Sequence, residues 1–465
     1  MKKISYRSVS IEKISVAMLV GLLSGAKKLV VAIDVAKTKM MAGFGSEDGS
    51  IVRLVRFTSP SQTRAFVTLV SQTGESLGVP VEALMEPTGT YGDALRAPLR
   101  EAGAEVFMLS PKRVHDAREV FDGVPSLHDP KACVLLARLH HQEISRRYEE
   151  RSEERRRMRA LVDQRQIYRK PMQQHLGQLE ALLSRHWPEL LDETDVWTRV
   201  TPLKVLEHYG CPAEVARDRQ GAEALMRSAS RGAMSASTIG QVVDSASRSI
   251  GVKTTNEERT LIQDLAREAL RLRDALGELD KRLEKLAVNN EATAGLSTAV
   301  GRITAVVLVA FLGPLGDYES AAALEKACGL NLKIKSSGNK RGRVSITKRG
   351  SAEVRAYLYL AAVRLVRLDP LIGAWYRSRA AYREDRKVVA LVAVMRKLIR
   401  ALWHVARGEP FNADKLIDRR ALLPHAPELA ISDDSAKASN AVSPQAHGAH
   451  SPAVATTTSH HAPSP

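Results

Sequence analysis

The chain has 465 residues, of which 44% are hydrophobic and 26% charged, and its formal net charge is +17 at pH 7. The length allows two or three domains with cores of their own, and the composition excludes a largely disordered chain. The positive charge favours a polyanionic partner, with nucleic acid first and an anionic membrane surface second. The three cysteines, Cys133, Cys211 and Cys328, are too far apart for a zinc site or a disulfide framework and indicate a reducing compartment.

Residues 1–26 combine a basic start, MKKISYRS, with an apolar run from Ile14 to Ala26. The end of this run, SGA, is similar to a signal-peptidase site, so one interpretation is an export signal. The other interpretation, which we favour, is an N-terminal extension, with Met18 as an alternative start of translation. The apolar run is too short to span a bilayer.

Residues 27–143 alternate between strand patterns and helix patterns. Helices are predicted near 61–75, 91–102, 111–120 and 130–141, and the predicted strands are KLVVAIDVA, KMMAGFGSE, IVRLVRFTS, VEALME and AEVFML. Three strands in series, followed by alternating helix and strand, predict an α/β domain with an RNase H-like sheet.

Residues 144–290 are predicted to be helical. Apolar residues recur every seven positions in two sets, offset by three: Ile262, Ala269, Leu276 and Leu283, then Leu265, Leu272, Leu279 and Leu286. Four such heptads predict a coiled coil, which packs within the chain or between subunits. Upstream, Pro171 is predicted to break or kink the helix that begins in RRYEERSEERRRMRA. The arginines of that stretch form a solvated face or contact phosphates.

Residues 291–412 are predicted to form a compact all-α domain. The tail 425–465 is rich in Ala, Ser, Pro, Thr and His, which predicts disorder.

Three acidic residues stand at positions that a sheet can bring together. Asp34 ends the first strand pattern, Glu86 ends the fourth, and Asp129 opens a helix pattern in SLHDPKACVLLARL. Carboxylate oxygens at one sheet edge suit Mg²⁺ or Mn²⁺, and such ions support phosphoryl transfer. Each acid alone is more often a cap or a turn residue, so the prediction depends on the three together.

The segment KSSGNKRGR, residues 335–343, is too polar for a core. It places Ser336 and Ser337 before Gly338 among the cations Lys335, Lys340, Arg341 and Arg343, and Lys348 and Arg349 follow. These cations are candidates for nucleic-acid binding. A serine hydroxyl is a poor nucleophile without a base, and the segment contains no histidine or carboxylate. From these residues alone, a phosphate-binding loop with incidental serines is the favoured interpretation.

Motifs along residues 27–410 are similar to those of the insertion sequence 110 family of transposases, which are related to the Piv invertases. The matching motifs are IDVAK, MEPTGTYG, AVGRITAVVLVAFLGPLGDYESAAALEKACGL, SSGNKRGRVSITKRG, VRAYLYLAAVRLV and ALVAVMRKLIRALW. The resemblance implies a bacterial cytoplasmic DNA recombinase that does not act at a membrane. It also implies a RuvC-like domain with a four-acid metal site, and a separate domain with a catalytic serine before a glycine.

The resemblance further implies that a bridge RNA pairs with donor and target DNA, and that recombination passes through a serine–DNA link. Residue by residue, it assigns the metal to Asp34, Glu86 and Asp129 and the nucleophile to Ser337. A homodimer or tetramer, formed through the coiled coil, is expected.

The chain departs from the family pattern at the fourth acid, where Ala132 stands three residues after Asp129. Asp122, His128 or a water could complete the set. The segment AVGRITA, similar to a helix–hairpin–helix, has Ala299 in place of a glycine but retains Gly301. Two other functions stay open: a metal nuclease similar to Holliday-junction resolvases, and a decayed transposase that only binds nucleic acid.

Overall fold

The computed structural model describes residues 7–87, 89–337, 340–380 and 384–417, with residues 335–337, 340–343 and 384–386 described by their backbone alone. The chain divides into two compact units, Met1–Arg151 and Ser152–Pro465. The predicted disordered tail, 425–465, lies outside the described residues.

The first unit contains a seven-stranded mixed sheet. Strands β2, β3 and β4 are antiparallel in series, and β5 and β6 run parallel to β2. This order is RNase H-like, and all five predicted strands are confirmed. The strands are β1 (Ser8–Ser10), β2 (Leu29–Asp34), β3 (Lys39–Gly45), β4 (Ile51–Thr58), β5 (Val81–Met85), β6 (Glu105–Met108) and β7 (Arg146–Arg147), in the order β1-β4-β3-β2-β5-β6-β7.

Helices cover both faces of this sheet. They are α1 (Val16–Leu22), α2 (Thr63–Leu77), α3 (Asp93–Glu101), α4 (Pro111–Asp116) and α5 (Asp129–His141). Alternate residues of β2 enter two cores: Val31 packs with Phe66 of α2, and Ala32 packs with Leu136 of α5. Burial on both faces explains why β2 is a continuous apolar run instead of an alternating pattern.

The N-terminal segment is packed on this unit. Strand β1 pairs in parallel with β4, and a 3-10 helix spans Ile11–Lys13. Ile11, Leu19 and Leu23 are buried in the core that also holds α2. The apolar run that resembles a signal peptide therefore has a structural role here, because it covers one face of the sheet.

The described part of the second unit is mostly helical and includes a two-stranded hairpin. Its helices are α6 (Glu153–His186), α7 (Pro188–Glu193), α8 (Val200–Tyr209), α9 (Pro212–Arg217), α10 (Arg219–Ser230), α11 (Ala236–Ser247), α12 (Asn256–Asn289), α13 (Glu291–Val300), α14 (Arg302–Leu312), α15 (Ala321–Ala327), α16 (Ala352–Leu368), α17 (Pro370–Ala380) and α18 (Glu384–Val405). Strands β8 (Leu332–Ser337) and β9 (Lys340–Ile346) form the hairpin, and 3-10 turns span Leu315–Asp317 and Ala413–Leu416.

The heptad region forms one helix, α12, which a capping box between Thr255 and Glu258 begins. Its apolar stripe packs on α6 of the same chain, where the Arg165 guanidinium donates to both carboxylate oxygens of Asp280 at 2.5 and 3.1 Å. Leu272 and Leu279 are buried without any second copy. The long helix is thus confirmed, while supercoiling and assembly through it stay predictions.

Pro171 lies inside α6, which continues through it, so of the two predicted effects, a break or a kink, the break is wrong. The helix is buried against neighbours on both sides of the proline, through Val162 before it and Leu176 after it. This packing offsets the backbone hydrogen bond that proline cannot donate. Among the helices described in either unit, none is long and apolar enough to cross a membrane.

Leu279→Ala should lower the free energy of unfolding of the second unit by about 3 kcal/mol, because it leaves a cavity between α12 and the C-terminal helices. The matched control is Leu261→Ala on the same helix, which is 47% exposed and should cost less than about 1 kcal/mol. Urea denaturation followed by tryptophan fluorescence measures both. Equal costs for the two variants would contradict the packing of α12 described above.

Candidate functional site

The three predicted acids lie at or beside ends of secondary-structure elements in the first unit. Asp34 is the last residue of β2, and Glu86 directly follows β5, its parallel neighbour, in which Met85 pairs with Ile33. Asp34 and Glu86 therefore leave adjacent strands at one edge of the sheet. Asp129 is the first residue of α5, the helix that packs on β2 and β3.

The electrostatics of these acids are unusual. In the described part of the chain, the carboxylates of Asp34, Glu86 and Asp129 have no hydrogen-bond or ion-pair partner. Burial, and secondarily the charge of Asp129, raises the pKa of Asp34 to about 6. Burial, and then the charge of Asp34, also raises the pKa of Glu86. Half-buried carboxylates that repel one another at a sheet edge are typical of functional sites.

Glu82 shows how the same domain treats a structural acid. This side chain is buried in β5, where Lys28 Nζ donates to it at 2.8 Å and His140 Nε2 lies 2.9 Å from its other oxygen. Burial opposes ionisation, but these hydrogen bonds outweigh it and the pKa of Glu82 is lowered. The charge of Glu82 is thus offset by neighbouring side chains, whereas the charges of Asp34 and Glu86 are not offset by any described side chain.

The position of the missing fourth acid is buried. Ala132 is 5% exposed, and both candidates for a replacement ligand are engaged at the start of α5. Lys131 Nζ donates to Asp122 at 2.8 Å, a hydrogen bond that lowers the pKa of Asp122. His128 caps the helix, its Nδ1 accepting from the backbone N–H of Lys131 at 3.3 Å.

No group of three or more His, Cys, Asp or Glu side chains among the described residues is close enough to enclose a metal ion. Asp34 nevertheless feels the charge of Asp129, and Glu86 feels the charge of Asp34, so the acids share one region in a looser arrangement. An open set of oxygen ligands fits Mg²⁺, which keeps several waters and is usually held by one or two carboxylates together with substrate phosphates.

The predicted serine lies on the hairpin of the second unit. Ser337 is the last residue of β8 and pairs with Lys340, while Lys335 pairs with Arg343. Gly338 and Asn339 lie outside the described residues, as do the side chains of Lys335, Ser336, Ser337, Lys340, Arg341 and Arg343. The helical prediction for residues 291–412 did not include these two strands.

The base of the hairpin is anchored to the helical core. The backbone N–H of Thr347 donates to the Asn331 carbonyl at 2.9 Å, and that of Lys348 donates to the Gly329 carbonyl at 2.9 Å. Lys348 and Arg349 are exposed there. Just before the hairpin, Glu325 is buried and its carboxylate pairs with Arg396 and Arg400 of α18.

The segment similar to a helix–hairpin–helix consists of α13, Gly301 and α14. Gly301 has φ +84°, a conformation that favours glycine, and a Cβ there would lie 3.0 Å from Arg364 Nη1. Ala299 is buried.

Sequence reasoning missed two cations near the acids, Lys39 on β3 and Arg56 on β4. They lie with Asp129 along a cleft of about 440 Å³. The sequence of one strand carries no information on its register with the next, so the strand patterns did not place these cations beside Asp129.

Two family models match the chain. Residues 297–377 match the model described as transposase IS116/IS110/IS902 family, and residues 31–188 match a model of DEDD transposases of IS110 elements, described as transposase. No curated protein matches the chain.

The second of these models implies use of a divalent metal ion, and both imply binding of DNA. The acidic sheet edge falls within the match of residues 31–188, and the hairpin falls within the match of residues 297–377. The chain therefore belongs to the IS116/IS110/IS902 family of transposases, which are DNA phosphoryl-transfer enzymes, and carries the DEDD domain in its N-terminal part.

Proposed function

We propose that this transposase cuts and rejoins DNA through Ser337, assisted by a divalent metal site at Asp34, Glu86 and Asp129. The observation that carries the proposal is the set of three carboxylates without cationic partners among the described residues, with the pKa of Asp34 raised to about 6. In this assignment residues 27–143 form the metal-binding domain, 144–290 the helical connection and 291–412 the serine domain.

The acids of the first unit would hold Mg²⁺ or Mn²⁺, which would supply charge stabilisation to the transferred phosphate. Asp34 is central, because its charge is felt at Glu86 and the charge of Asp129 is felt at Asp34. Binding of a cation would favour the ionised forms, which burial disfavours.

The serine step forms one bond and breaks one. The Ser337 hydroxyl oxygen attacks a DNA phosphorus and a serine–DNA phosphodiester forms. The bond from that phosphorus to one DNA oxygen breaks, and this oxygen takes up a proton from water and leaves as a hydroxyl. The serine proton passes to a group outside KSSGNKRGR, because this segment contains no base, and we assign that role to the acid site in the same or a second copy of the chain. Lys335, Lys340, Arg341, Arg343, Lys348 and Arg349 offset the phosphate charge.

A guide RNA that pairs with donor and target DNA, and a homodimer or tetramer, complete the proposal. Their support is the resemblance of the motifs together with the net charge of +17, which suits a complex of two nucleic acids. A decayed transposase has one observation in its favour, the buried Ala132 at the fourth acid position.

Ser337→Ala should abolish strand cleavage with less than about a twofold loss of DNA binding, because a methyl group has no nucleophilic oxygen while the surrounding cations remain. The matched control is Ser336→Ala, which should keep most of the activity. The measurement incubates protein, guide RNA and labelled DNA with Mg²⁺, denatures the mixture and scores label that migrates with protein.

An adduct that survives in Ser337→Ala, or that disappears only in Ser336→Ala, would assign the nucleophile elsewhere. Cleaved DNA without any adduct in the wild-type protein would favour the plain metal nuclease. Binding without cleavage in the wild type would favour the decayed transposase.

Asp34→Asn should abolish recombination and yet stabilise the metal-free protein above pH 6 by about 1 kcal/mol, a figure reduced for solvent screening at a half-buried site. The folded pKa of about 6 lies above the unfolded value of roughly 4, so the folded state binds more protons between these two pH values. Stability of the wild type therefore falls as pH rises from about 4 to about 6, and the variant escapes this loss. Thermal melting from pH 4 to pH 8 measures the difference.

Mg²⁺ should raise the melting temperature of the wild type above pH 6 but not that of Asp34→Asn, since the cation binds the ionised acids. Glu101→Gln is the charge-matched control, because Glu101 is exposed at the end of α3, and it should keep both the shift and the activity. Equal Mg²⁺ shifts in wild type and Asp34→Asn would argue against the metal site.

A further inference from the structure

We propose that the cleft beside Asp129 holds one strand of DNA by its phosphates through Lys39 and Arg56, and that the N-terminal segment around Ser10 and Glu12 forms its outer wall. The inference deepens the proposed function, because it takes the Asp34 edge as the place where DNA reacts. It assigns substrate-positioning residues that lie outside the acidic set and outside the serine hairpin.

The strand register puts these cations on the same sheet face as Asp34. Asp34 pairs with Met41, Met41 pairs with Arg56, and Arg56 pairs with Ser10, so one row crosses four strands. Directly paired residues point to the same face, and adjacent strands lie about 4.8 Å apart. The backbone of Arg56 is therefore roughly 10 Å from that of Asp34.

Lys39 extends this cationic surface. It lies two residues before Met41 on β3, and it pairs with Thr58, two residues after Arg56 on β4. Residues two apart on a strand share a face, so Lys39 and Arg56 project from neighbouring strands on the side of Asp34. A strand of DNA that follows this face passes from the cations to the acids.

The cleft has the dimensions of a binding site. Its volume is about 440 Å³, and its lining includes Asp129, Lys39 and Arg56 together with Ser10 and Glu12. Clefts that bind small ligands measure roughly 300–1,000 Å³, so one nucleotide unit at a time fits here.

Among the described residues, some charged side chains in the cleft already have hydrogen-bond partners, and others do not. Glu12 accepts hydrogen bonds from Ser10 Oγ at 3.0 Å and Gln62 Nε2 at 2.6 Å. Lys39 and Arg56 have no hydrogen-bond or ion-pair partner through their side chains within the described ranges of the chain, and Arg56 is exposed. A guanidinium without a partner suits two oxygens of one phosphate.

The outer wall comes from a part of the chain that precedes the family match of residues 31–188. Ser10 belongs to β1 and Glu12 to the 3-10 helix that follows it, and both are held by the pairing of β1 with β4. The segment therefore narrows the cleft on the side away from Asp34. The carboxylate of Glu12 would repel a phosphate that approached this wall and direct it toward Arg56.

The test uses the full chain and a fluorescein-labelled single-stranded DNA, with binding measured by anisotropy at several salt concentrations without added metal. The double variant Lys39→Gln/Arg56→Gln should bind about tenfold more weakly, and the slope of log affinity against log salt should fall by about two. The charge-matched control is Arg64→Gln/Arg146→Gln, which removes exposed cations from α2 and β7, and it should change affinity less than twofold.

Glu12→Gln should change the affinity for DNA in the opposite direction. It removes a negative charge from the wall while an amide oxygen remains to accept from Gln62, so DNA should bind about threefold more tightly. Unchanged or weaker binding in Glu12→Gln, or an equal loss in the cleft and control double variants, would overturn the proposal.

A photoreactive benzoylphenylalanine in place of Arg56 locates the ligand. Crosslinking to the DNA strand supports the assignment, while crosslinking only to guide RNA in the full complex overturns it.

The Mg²⁺ shift in melting temperature should persist in Lys39→Gln/Arg56→Gln. If DNA binding is unaffected in that variant while the Mg²⁺ shift depends on Asp34, the cleft assignment fails alone. If DNA binding falls as expected while Asp34→Asn still recombines DNA, the proposed catalytic function fails alone.

Discussion

A carboxylate at the end of a central strand loses much of its hydration, and its charge is then stable only if a nearby cation or donor offsets the loss. Asp34 occupies such a position without a partner in the described part of the chain, and the charge of Asp129 adds to the cost. The rest of the first unit maintains this arrangement. Parallel pairing of β2 and β5 brings Glu86 beside Asp34, and the packing of α5 on β2 and β3 fixes where Asp129 begins its helix.

The hairpin of the second unit needs support from the rest of that unit, because a two-stranded hairpin is marginally stable alone. Its strands leave Ile334 and Val344 exposed, so little of its stability comes from burial. Backbone hydrogen bonds at Asn331 and Gly329 hold its base instead, and the buried Glu325, paired with Arg396 and Arg400, ties the preceding helix to α18. The base of the hairpin is thereby held in place.

The N-terminal segment and Pro171 both depart from what their local sequence predicts, because tertiary packing changes the outcome. An apolar run that resembles an export signal packs Leu19 and Leu23 into a sheet domain. A proline that should interrupt a helix is accommodated, because apolar residues on both sides of it are buried. The sequence correctly indicated that residues 14–26 are apolar and that Pro171 cannot donate a backbone hydrogen bond. It did not show that neighbouring elements pack against both segments.

The sequence by itself determined five strands of the first unit, the long helix α12 and the positions of the three acids, because each depends on a local pattern: an apolar run, a heptad, or an acid where a strand pattern ends or a helix pattern begins. It also supplied the serine motif, whose role stays a proposal. It did not determine the hairpin at KSSGNKRGR or the place of Lys39 and Arg56 on the face of Asp34. Those features depend on strand register and on contacts between distant residues, such as Ser10 with Arg56. Only the tertiary structure decided them, because register is set by pairing across the sheet and a single strand's sequence is compatible with several registers.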